Sequence, residues 1–261
     1  MELNKIYNEN CIDTMARMPD NFLDLTVTSP PYDNLREYKG YSFDFESIAR
    51  ELFRVTKQGG VVVWVVGDAT VNGSETGTSF RQALYFKEIG FNLHDTMIYQ
   101  KNGIPNAGNM YQQSFEYMFV FSKGKPKSVN HIKQKALHFN GSKISKHAMR
   151  DGDNLKNVEY VSNEYVIELN IWKYATGLHG TTSDKLAFSH PAIFPEKLAA
   201  DHIYSWCNEG DIVYDPFMGS GTTAKMAHIY KRRWIGSEIS KEYVDIAEKR
   251  LWQYLAQTSL F

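Results

Sequence analysis

Residues 211–223 read DIVYDPFMGSGTT, which predicts a short strand over 211–214, a glycine turn and a helix that begins at Thr222. The glycines matter because a β-branched side chain in such a turn would block the close approach of a ligand to the backbone. The first turn of the helix adds free N–H donors and partial positive charge. The stretch therefore predicts a site for a cofactor that contains a nucleoside.

Two other kinds of glycine turn share part of this pattern. Residues 219–224 read GSGTTA, which satisfies the dinucleotide-binding fingerprint, and an acid, Glu238, ends the next strand about twenty residues further on. A dinucleotide-binding enzyme normally opens with this unit and needs several more strands after it, whereas only about forty residues remain here. A phosphate-binding loop is disfavoured because no lysine follows the second glycine. The late position of the turn therefore argues against the first alternative, and the missing lysine argues against the second.

A second informative stretch, residues 24–32, reads DLTVTSPPY. It predicts a strand over 24–28 that stops at Pro30 and Pro31, because proline cannot donate to a strand ladder and holds the preceding residue extended. The prolines also fix the backbone so that a carbonyl group can point into a pocket. The stretch is typical of a pocket for a planar amine. The alternative is a plain turn that ends a strand and carries a surface tyrosine.

Outside its middle, the chain alternates predicted strands with predicted helices. Further strands are predicted over 60–66, 93–100, 117–121 and 234–238, and further helices over 45–55, 79–89, within 190–206 and over 241–255. The run at 60–66, GVVVWVV, is typical of a strand buried on both faces. The alternation predicts an α/β fold with a doubly wound, mostly parallel sheet, in which ligands bind at the carboxyl ends of the strands.

The middle of the chain, 122–182, departs from this alternation. Small, polar and basic residues dominate it, and only 160–169 offers a strand-like patch. Between 123 and 156 there are nine Lys and Arg residues against two acids, although the whole chain of 261 residues carries a net charge of −1. We therefore expect one α/β domain built from 1–121 and 183–261, interrupted by an inserted basic region over 122–182.

The remaining composition excludes several classes of protein. Cys11 and Cys207 are too few for a disulfide framework and lack the spacing of metal ligands, and the histidines share no ligand or triad spacing, so no metal site is expected. The N-terminus lacks the pattern of a signal peptide, and no run approaches the ~20 apolar residues of a membrane span. A cytoplasmic protein without a membrane partner is expected.

Taken together, the two stretches resemble the S-P-P-Y and F-x-G-x-G motifs of S-adenosylmethionine-dependent DNA amino-methyltransferases. The catalytic motif precedes the cofactor motif, as in the β group of that family. Residues 190–198, HPAIFPEKL, resemble the family's motif X, which opens a helix beside the cofactor, and residues 7–12 correspond to a segment that contacts the adenine of the cofactor. The resemblance implies the class I methyltransferase (Rossmann-like) fold and S-adenosylmethionine as the cofactor.

The resemblance also implies which residues bind that cofactor. The glycine turn would face the carboxylate of the methionine moiety, helped by Thr222 or Thr223, and Glu238 would accept hydrogen bonds from the two ribose hydroxyls. The full set is Asn10, Cys11, Thr28, Pro191, Phe194, Asp215, Pro216, Phe217, Gly219, Ser220, Gly221, Thr222, Thr223 and Glu238. Asn10 replaces an acid and Phe194 replaces a lysine found in many relatives.

By the same resemblance, Ser29, Pro30, Pro31 and Tyr32 form the catalytic pocket for an extruded base. The Ser29 hydroxyl and the Pro30 carbonyl would accept the two hydrogens of an exocyclic amine, which favours a lone pair directed at the methyl donor. Tyr32 would stack on the base, a contact worth about 1–3 kcal/mol. Serine at position 29 is the usual pattern for cytosine N4, whereas aspartate or asparagine is usual for adenine N6. The resemblance favours cytosine N4, with adenine N6 as the alternative.

The implied substrate is double-stranded DNA, from which the enzyme must flip the base because a paired base cannot reach such a pocket. The predicted DNA-binding residues are Arg36, Lys133, Lys135, Lys143, Lys146 and Arg150. For the lysines, an ordinary solvated surface is the alternative. A prokaryotic restriction-modification setting implies a cognate restriction endonuclease as a candidate partner, and a homodimer is a further candidate assembly. The rival function is a non-catalytic DNA-binding subunit that kept the fold.

Overall fold

The computed structural model of the protein describes residues 1–31, 43–103, 110–137, 139, 141, 144–152, 154–177, 180–189, 193 and 195–258. The chain forms two compact units. The large unit consists of Met1–Asn130 with Asn170–Phe261, and the small unit of His131–Leu169. The large unit carries both sequence motifs.

The strands and helices are numbered along the chain. The large unit contains the strands β1 (Lys5–Tyr7), β2 (Leu23–Thr28), β3 (Thr56–Val66), β4 (Thr70–Val71), β5 (Ser74–Glu75), β6 (Asn92–Gln100), β7 (Phe115–Ser122), β12 (Ile171–Lys173), β13 (Ile212–Asp215) and β14 (Arg233–Ser237). Its helices are α1 (Cys11–Ala16), α2 (Phe45–Val55), α3 (Thr78–Glu88), a 3-10 helix (Lys185–Ser189), α4 (Glu196–Trp206), α5 (Thr222–Ile229) and α6 (Lys241–Thr258). The small unit contains β8 (Lys133–Lys135), β9 (Ile144–Asp151), β10 (Asn154–Val161) and β11 (Tyr165–Ile167).

Eight strands of the large unit form one sheet in the order β1-β14-β13-β2-β3-β7-β6-β12. Neighbours pair in parallel from β1 through β3, β7 runs antiparallel to both β3 and β6, and β12 is parallel to β6. The predicted α/β fold with a mostly parallel sheet is confirmed. Because five neighbouring strands run in one direction, their carboxyl ends meet at one edge of the sheet.

Helices cover both faces of this sheet. One face packs against α1, α2 and α3 through an apolar cluster that includes Leu52, Trp64 and Phe86. The rings of Phe86 and Phe121 stack with centroids 4.5 Å apart. The other face contacts α4 and α5. The valines of β3 that alternate with Trp64 are buried as well, so this strand is buried on both faces, as its sequence predicts.

Helix α2 shows why its boundaries can be read from the sequence. Its buried residues recur at helical spacing and include Leu52 and Val55. The Asp44 side chain accepts a hydrogen bond from the Ser47 N–H at 3.2 Å and caps the first turn. At the other end, the hydroxyl of Thr56 donates to the Leu52 carbonyl at 2.6 Å as the chain turns into β3. Local chemistry therefore fixes both ends.

The small unit is made of paired strands. β9 and β10 pair antiparallel over their full lengths, with Gly152 at a φ of +61° in the turn between them. β8 pairs antiparallel with β11. The sequence indicates a strand-like patch only over 160–169. The hairpin goes unpredicted because neither of its strands alternates clearly between apolar and polar residues.

The main sheet extends further into the middle of the chain than predicted. β7 continues to Ser122, and β12 adds an edge strand beside β6. The predicted inserted region, 122–182, is therefore wider at both ends than the small unit, His131–Leu169. The other predicted elements are present with their ends shifted by a few residues, while β1, α1 and the short β4–β5 pair are additions. Among the residues that the structure describes, no helix has the length and apolar character needed to cross a membrane.

Candidate active site

The candidate site lies at the carboxyl edge of the sheet in the large unit. There, β1, β14, β13 and β2 run side by side and parallel, so the segments that follow them are neighbours. Val213 pairs with Leu25, and Tyr214 pairs with Thr26. This register brings the ends of β2 and β13 to the same level, so the two sequence motifs meet.

A buried hydrogen bond joins the two motifs directly. The Thr28 hydroxyl donates to Asp215 Oδ1 at 2.7 Å, although 187 residues separate them. The backbone N–H of Phe217 donates to the same oxygen at 3.0 Å. Burial raises the pKa of Asp215 to about 6, and the hydrogen bonds to its carboxylate offset only part of that rise. At neutral pH the carboxyl group of Asp215 is therefore mostly ionised, and burying it in this form lowers the stability of the fold.

The glycine turn has a shape that suits few other residues. Gly219 and Gly221 have φ angles of +50° and +81°, in the left-handed region. A Cβ atom at Gly221 would also lie 3.1 Å from the Cβ of Ala247. The turn is closed by a 2.9 Å hydrogen bond from the Gly221 N–H to the Met218 carbonyl. The backbone geometry thus explains the two glycines independently of any ligand.

Helix α5 begins directly after this turn, and no described side chain caps its N-terminus. Its first N–H groups can therefore serve an anionic ligand, which the helix dipole also favours. Thr222 and Thr223 are both buried, but their hydroxyls differ in role. Thr223 Oγ1 donates to the Val27 carbonyl at 3.2 Å and ties α5 to β2. Thr222 Oγ1 instead accepts a hydrogen bond from Arg250 at 3.0 Å.

Glu238 directly follows β14 and hydrogen-bonds the glycine turn. Its Oε2 accepts from the Gly219 N–H at 2.9 Å, and its Oε1 accepts from the Ser240 N–H at 2.8 Å. Burial raises the pKa of Glu238, against the effect of these backbone hydrogen bonds. Because each carboxylate oxygen has a second lone pair, the side chain keeps acceptor capacity for the hydroxyls of a ligand.

The segment after β1 lies beside Glu238, whose N–H donates to the Tyr7 carbonyl at 3.0 Å. Asn10 Oδ1 accepts from the Ile12 N–H at 2.9 Å and caps α1. This oxygen therefore has a structural role that its sequence context does not indicate. Cys11 is buried in the core, and burial raises the pKa of its thiol to about 12. Cys11 is thus a neutral, apolar side chain at the start of α1.

The predicted base pocket is described in part. Ser29 and Pro31 are half-buried and Pro30 is buried, directly after β2. Pro216 is buried, and the half-buried Phe217 packs against the apolar cluster of the core. Five predicted site residues lie outside the described residues: Tyr32, Arg36, Lys143, Pro191 and Phe194. For a sixth, Lys146, only the backbone is described.

Three predicted DNA-binding residues are described with their side chains. Lys133 and Lys135 lie on β8 and Arg150 lies on β9, and all three are exposed on the small unit. Two other basic residues of the same sequence interval are held by the large unit. Lys123 is buried with its ammonium group hydrogen-bonded to backbone carbonyls, and Lys127 pairs with a buried aspartate. The basic character of the interval therefore belongs only partly to the small unit.

Sequence reasoning missed a buried charged cluster behind the glycine turn. Arg250 is 0% exposed. It donates to the Ser220 carbonyl at 2.9 Å and also hydrogen-bonds the carboxylates of Asp184 and Glu196. A signal was present in the sequence, since Arg250 falls three residues after the buried Ala247 and so lies on the inner face of α6.

Comparison with known proteins identifies the family. A profile of the N6/N4 family, described as DNA methylase, matches residues 23–249. The chain belongs to the N6/N4 DNA methylase family. It is 62% identical over 242 residues to the orphan methyltransferase M.BamHII of Bacillus amyloliquefaciens, across 90% of this chain and 91% of that protein. It is 30% identical over 261 residues to the type II methyltransferase M.BglII of Bacillus subtilis, across 94% of this chain and 68% of that protein.

Solved structures share the fold of this DNA methylase. The cytosine-N4-specific PvuII DNA methyltransferase matches with a TM-score of 0.71 at 20% identity, across 94% of this chain and 85% of that chain. A putative DNA modification methylase from Thermus thermophilus, complexed with S-adenosyl-L-methionine, matches with a TM-score of 0.66 at 22% identity, across 95% of this chain and 93% of that chain. The expected class I, Rossmann-like architecture is confirmed.

We predict that Asp215→Asn makes the stability of this DNA methylase less dependent on pH. The folded-state pKa of about 6 lies above the ordinary value of 3.8, so between these values the folded protein holds a proton that the unfolded chain has lost. The stabilisation from this group is therefore complete below about pH 4 and is lost as the pH rises through 6, about 3 kcal/mol in all. Asparagine keeps the acceptor for Thr28 and the Phe217 N–H but does not ionise.

Urea unfolding of both proteins between about pH 4 and pH 8 measures this effect. The variant should gain stability relative to the wild type as the pH rises and should reach a plateau above about pH 7. Asp20→Asn, at an exposed carboxylate, controls for the amide substitution. A stability difference between Asp215→Asn and the wild type that stays constant with pH would contradict the prediction.

Proposed function

We propose that this DNA methylase transfers a methyl group from S-adenosylmethionine to the N4 amine of cytosine in double-stranded DNA, after flipping the base out of the helix. The observation that carries the proposal is the buried hydrogen bond between Thr28 and Asp215. It places the strand end that bears Ser29, Pro30 and Pro31 beside the glycine turn. The name of the 62% identical relative, an orphan methyltransferase, supports the reaction class.

The described residues suit S-adenosylmethionine in three respects. The uncapped N-terminus of α5 suits the carboxylate of its amino-acid end. Glu238 suits the two ribose hydroxyls, and Gly219 and Gly221 allow the tight left-handed turn that precedes this N-terminus. The T. thermophilus structure with this cofactor, which shares the fold, adds support. When bound, the cofactor supplies an electrophilic methyl group on a sulfonium sulfur.

The residues after β2 would prepare the amine for transfer. The nitrogen lone pair of an exocyclic amine is delocalised into the ring, so it is a poor nucleophile in the free base. The Ser29 hydroxyl and the Pro30 carbonyl would accept the two amine hydrogens and favour a pyramidal nitrogen. Ser29 is half-buried and follows the buried Thr28, so its hydroxyl lies at the edge of the core rather than within it.

Two observations favour cytosine N4 within this family. Serine stands at position 29, where relatives that act on adenine usually carry aspartate or asparagine. The fold also matches the cytosine-N4-specific PvuII enzyme. Adenine N6 methylation is the second candidate, because the family includes both activities and both amines present two hydrogens on a conjugated nitrogen. A non-catalytic DNA-binding subunit is the third.

One experiment separates the three candidates. Purified protein is incubated with tritium-labelled cofactor and unmethylated DNA, the DNA is digested to nucleosides, and the labelled nucleoside is identified. N4-methylcytosine supports the proposal. N6-methyladenine alone would overturn the base assignment but keep the reaction class. Cofactor binding with no labelled nucleoside on DNA of varied sequence would favour the non-catalytic subunit.

We predict that Ser29→Ala lowers methyl transfer at least about 100-fold while the Kd for the cofactor changes less than about twofold. The variant removes an acceptor that acts on the base amine and leaves the turn and Asp215 intact. Ser128→Ala is a control for the loss of a serine hydroxyl, because Ser128 is a buried serine at the amino edge of the sheet, where its hydroxyl accepts a hydrogen bond from Asn208. Full activity in Ser29→Ala would refute the assignment of this pocket.

We also propose that the small unit contacts DNA, with Lys133, Lys135 and Arg150 facing phosphates or base edges. Their exposure supports this role, although Lys135 also lies 3.8 Å from a carboxylate oxygen of Glu164. The roles proposed for Arg36, Lys143 and Lys146 rest on the sequence. The setting we propose is the cytoplasm of a bacterium. The orphan status of the M.BamHII relative favours an enzyme without a partner endonuclease, and a homodimer stays a prediction.

We predict that Lys133→Gln, Lys135→Gln and Arg150→Gln each weaken binding to duplex DNA and leave the cofactor Kd unchanged. A variant that no longer neutralises one phosphate should show a slope of log K against log salt that is shallower by about 0.9. Fluorescence anisotropy with labelled duplex at several salt concentrations measures the Kd and this slope. Lys231→Gln serves as the control, since Lys231 is an exposed lysine at the amino end of β14. If the three variants behave like this control, the small unit does not bind DNA through them.

A further inference from the structure

Arg250 lies directly behind the glycine turn and is fully buried on α6. One guanidinium nitrogen, Nη1, donates to three atoms of the turn: the Ser220 carbonyl at 2.9 Å, Ser220 Oγ at 3.3 Å and Thr222 Oγ1 at 3.0 Å. The Nε donates to Asp184 Oδ2 at 2.8 Å, and Nη2 donates to Glu196 Oε1. Every nitrogen of this side chain is therefore engaged.

The charges around Arg250 balance within the buried cluster. Lys225, on α5, donates to Glu196 Oε1 at 2.6 Å, and its ammonium group lies 4.5 Å from the centroid of the Tyr254 ring. Two cations thus face two carboxylates, those of Asp184 and Glu196. Burial alone would raise the pKa of Glu196, but the hydrogen bonds and charges of its partners outweigh burial and lower it. The positive charges of Lys225 and Arg250 therefore offset the negative charges of Glu196 and Asp184.

The cluster links the turn to the start of α4. The Glu196 N–H donates to the Thr181 carbonyl at 3.0 Å, and the Thr182 hydroxyl donates to Glu196 Oε1 at 2.6 Å. Glu196 itself belongs to the segment that resembles motif X, residues 190–198. Arg250 therefore reaches two parts of the chain that the family resemblance assigns to cofactor binding.

Ser220 is the one turn residue between the two left-handed glycines, and Arg250 holds both its carbonyl and its hydroxyl. These contacts are made by protein groups alone and restrict the conformations of the turn. A turn restricted in this way loses less conformational entropy when a ligand binds, so its affinity is higher.

Arg250 also distinguishes the two threonines at the start of α5. A hydroxyl has one hydrogen to donate and two lone pairs to accept with. The hydrogen of Thr223 is directed at the Val27 carbonyl, and the Asp215 carboxylate is a second acceptor for it. Thr222 accepts from Arg250, and among the described residues its own hydrogen has no acceptor. It can be donated to an anionic group at the N-terminus of α5, and the guanidinium charge strengthens such a bond.

We propose that Arg250 is a positioning residue of the cofactor site, which fixes Ser220 and orients the Thr222 hydroxyl toward the carboxylate of the cofactor's amino-acid end. The proposal rests on the proposed function, because it takes S-adenosylmethionine as the ligand. In this proposal the Thr222 hydroxyl contacts the ligand, whereas the Thr223 hydroxyl connects α5 to β2. The competing account is that Arg250 only stabilises the fold.

Calorimetric titration with two ligands separates these accounts. S-adenosylhomocysteine carries the amino-acid carboxylate, and 5′-methylthioadenosine has the same nucleoside without it. Arg250→Lys keeps the positive charge facing Asp184 and Glu196 but lacks the planar fork that reaches Ser220 and Thr222 together. It should weaken S-adenosylhomocysteine binding about tenfold or more and change 5′-methylthioadenosine binding less than about twofold. Arg232→Lys is the control, because Arg232 is also buried but donates to carbonyls at the amino edge, and neither Kd should change.

Substitutions at the two threonines provide an independent test that does not depend on the folding of the Arg250 variant. Thr222→Val should lose affinity for S-adenosylhomocysteine selectively, and Thr222→Ser should restore it. Thr223→Val should lower the midpoint of thermal unfolding without ligand selectivity. Combining Arg250→Lys with Thr222→Val should weaken binding by less than the sum of the two single effects, because both variants lose the contact between Arg250 and Thr222.

The outcomes are distinct. Selective loss in Arg250→Lys and Thr222→Val supports the proposal. Equal loss for both ligands, or no loss for either, overturns it and leaves Arg250 a purely structural residue. If Arg250→Lys does not fold, the selectivity of Thr222→Val decides. If the wild type binds neither ligand, the proposed function fails, a result that differs from every outcome in which the wild type binds.

Discussion

The hydrogen bond from Thr28 to Asp215 is the interaction on which the rest of the site depends. It lies where two parallel strands end at the same level, and it converts two motifs 187 residues apart into one surface. Asp215 is buried, and burial raises its pKa. A carboxyl group of this kind destabilises the fold when it ionises, so its position is explained by what it organises: the Thr28 hydroxyl on one side and the Phe217 N–H that starts the turn on the other.

Glu196, behind the turn, contrasts with Asp215. Its Oε1 accepts from both Lys225 and Arg250, and its pKa is lowered in spite of burial. The site thus contains two kinds of buried acid. The hydrogen bonds to Asp215 do not offset the effect of its burial, whereas Glu196 belongs to a neutral cluster of two cations and two carboxylates. Breaking one member of such a cluster leaves a buried charge without a partner, which is far more destabilising than never having had the pair. The cluster can therefore hold the turn rigid while the carboxyl edge stays open to ligands.

Local pattern was enough to predict most of the fold. The strand over 60–66, the helix over 45–55 and the glycine turn each carry their signal within a few residues. The sequence pattern did not predict the features that depend on residues far away along the chain. Arg250 is buried because charges from two other segments meet it, Asn10 serves as a helix cap before any ligand, and Lys123 is held by backbone carbonyls of the large unit. The β9–β10 hairpin lacked an apolar alternation altogether.

The choice between cytosine and adenine also depends on more than the acceptors after β2. Both amines offer two hydrogens on a conjugated nitrogen, so a hydroxyl and a carbonyl can accept either pair. Serine and aspartate at position 29 do differ in charge, however. A carboxylate there would follow directly after Thr28, whose hydroxyl already contacts the buried Asp215, and neighbouring carboxylates raise each other's pKa. A neutral serine adds no second negative charge at this strand end, where the buried Asp215 already accepts from Thr28.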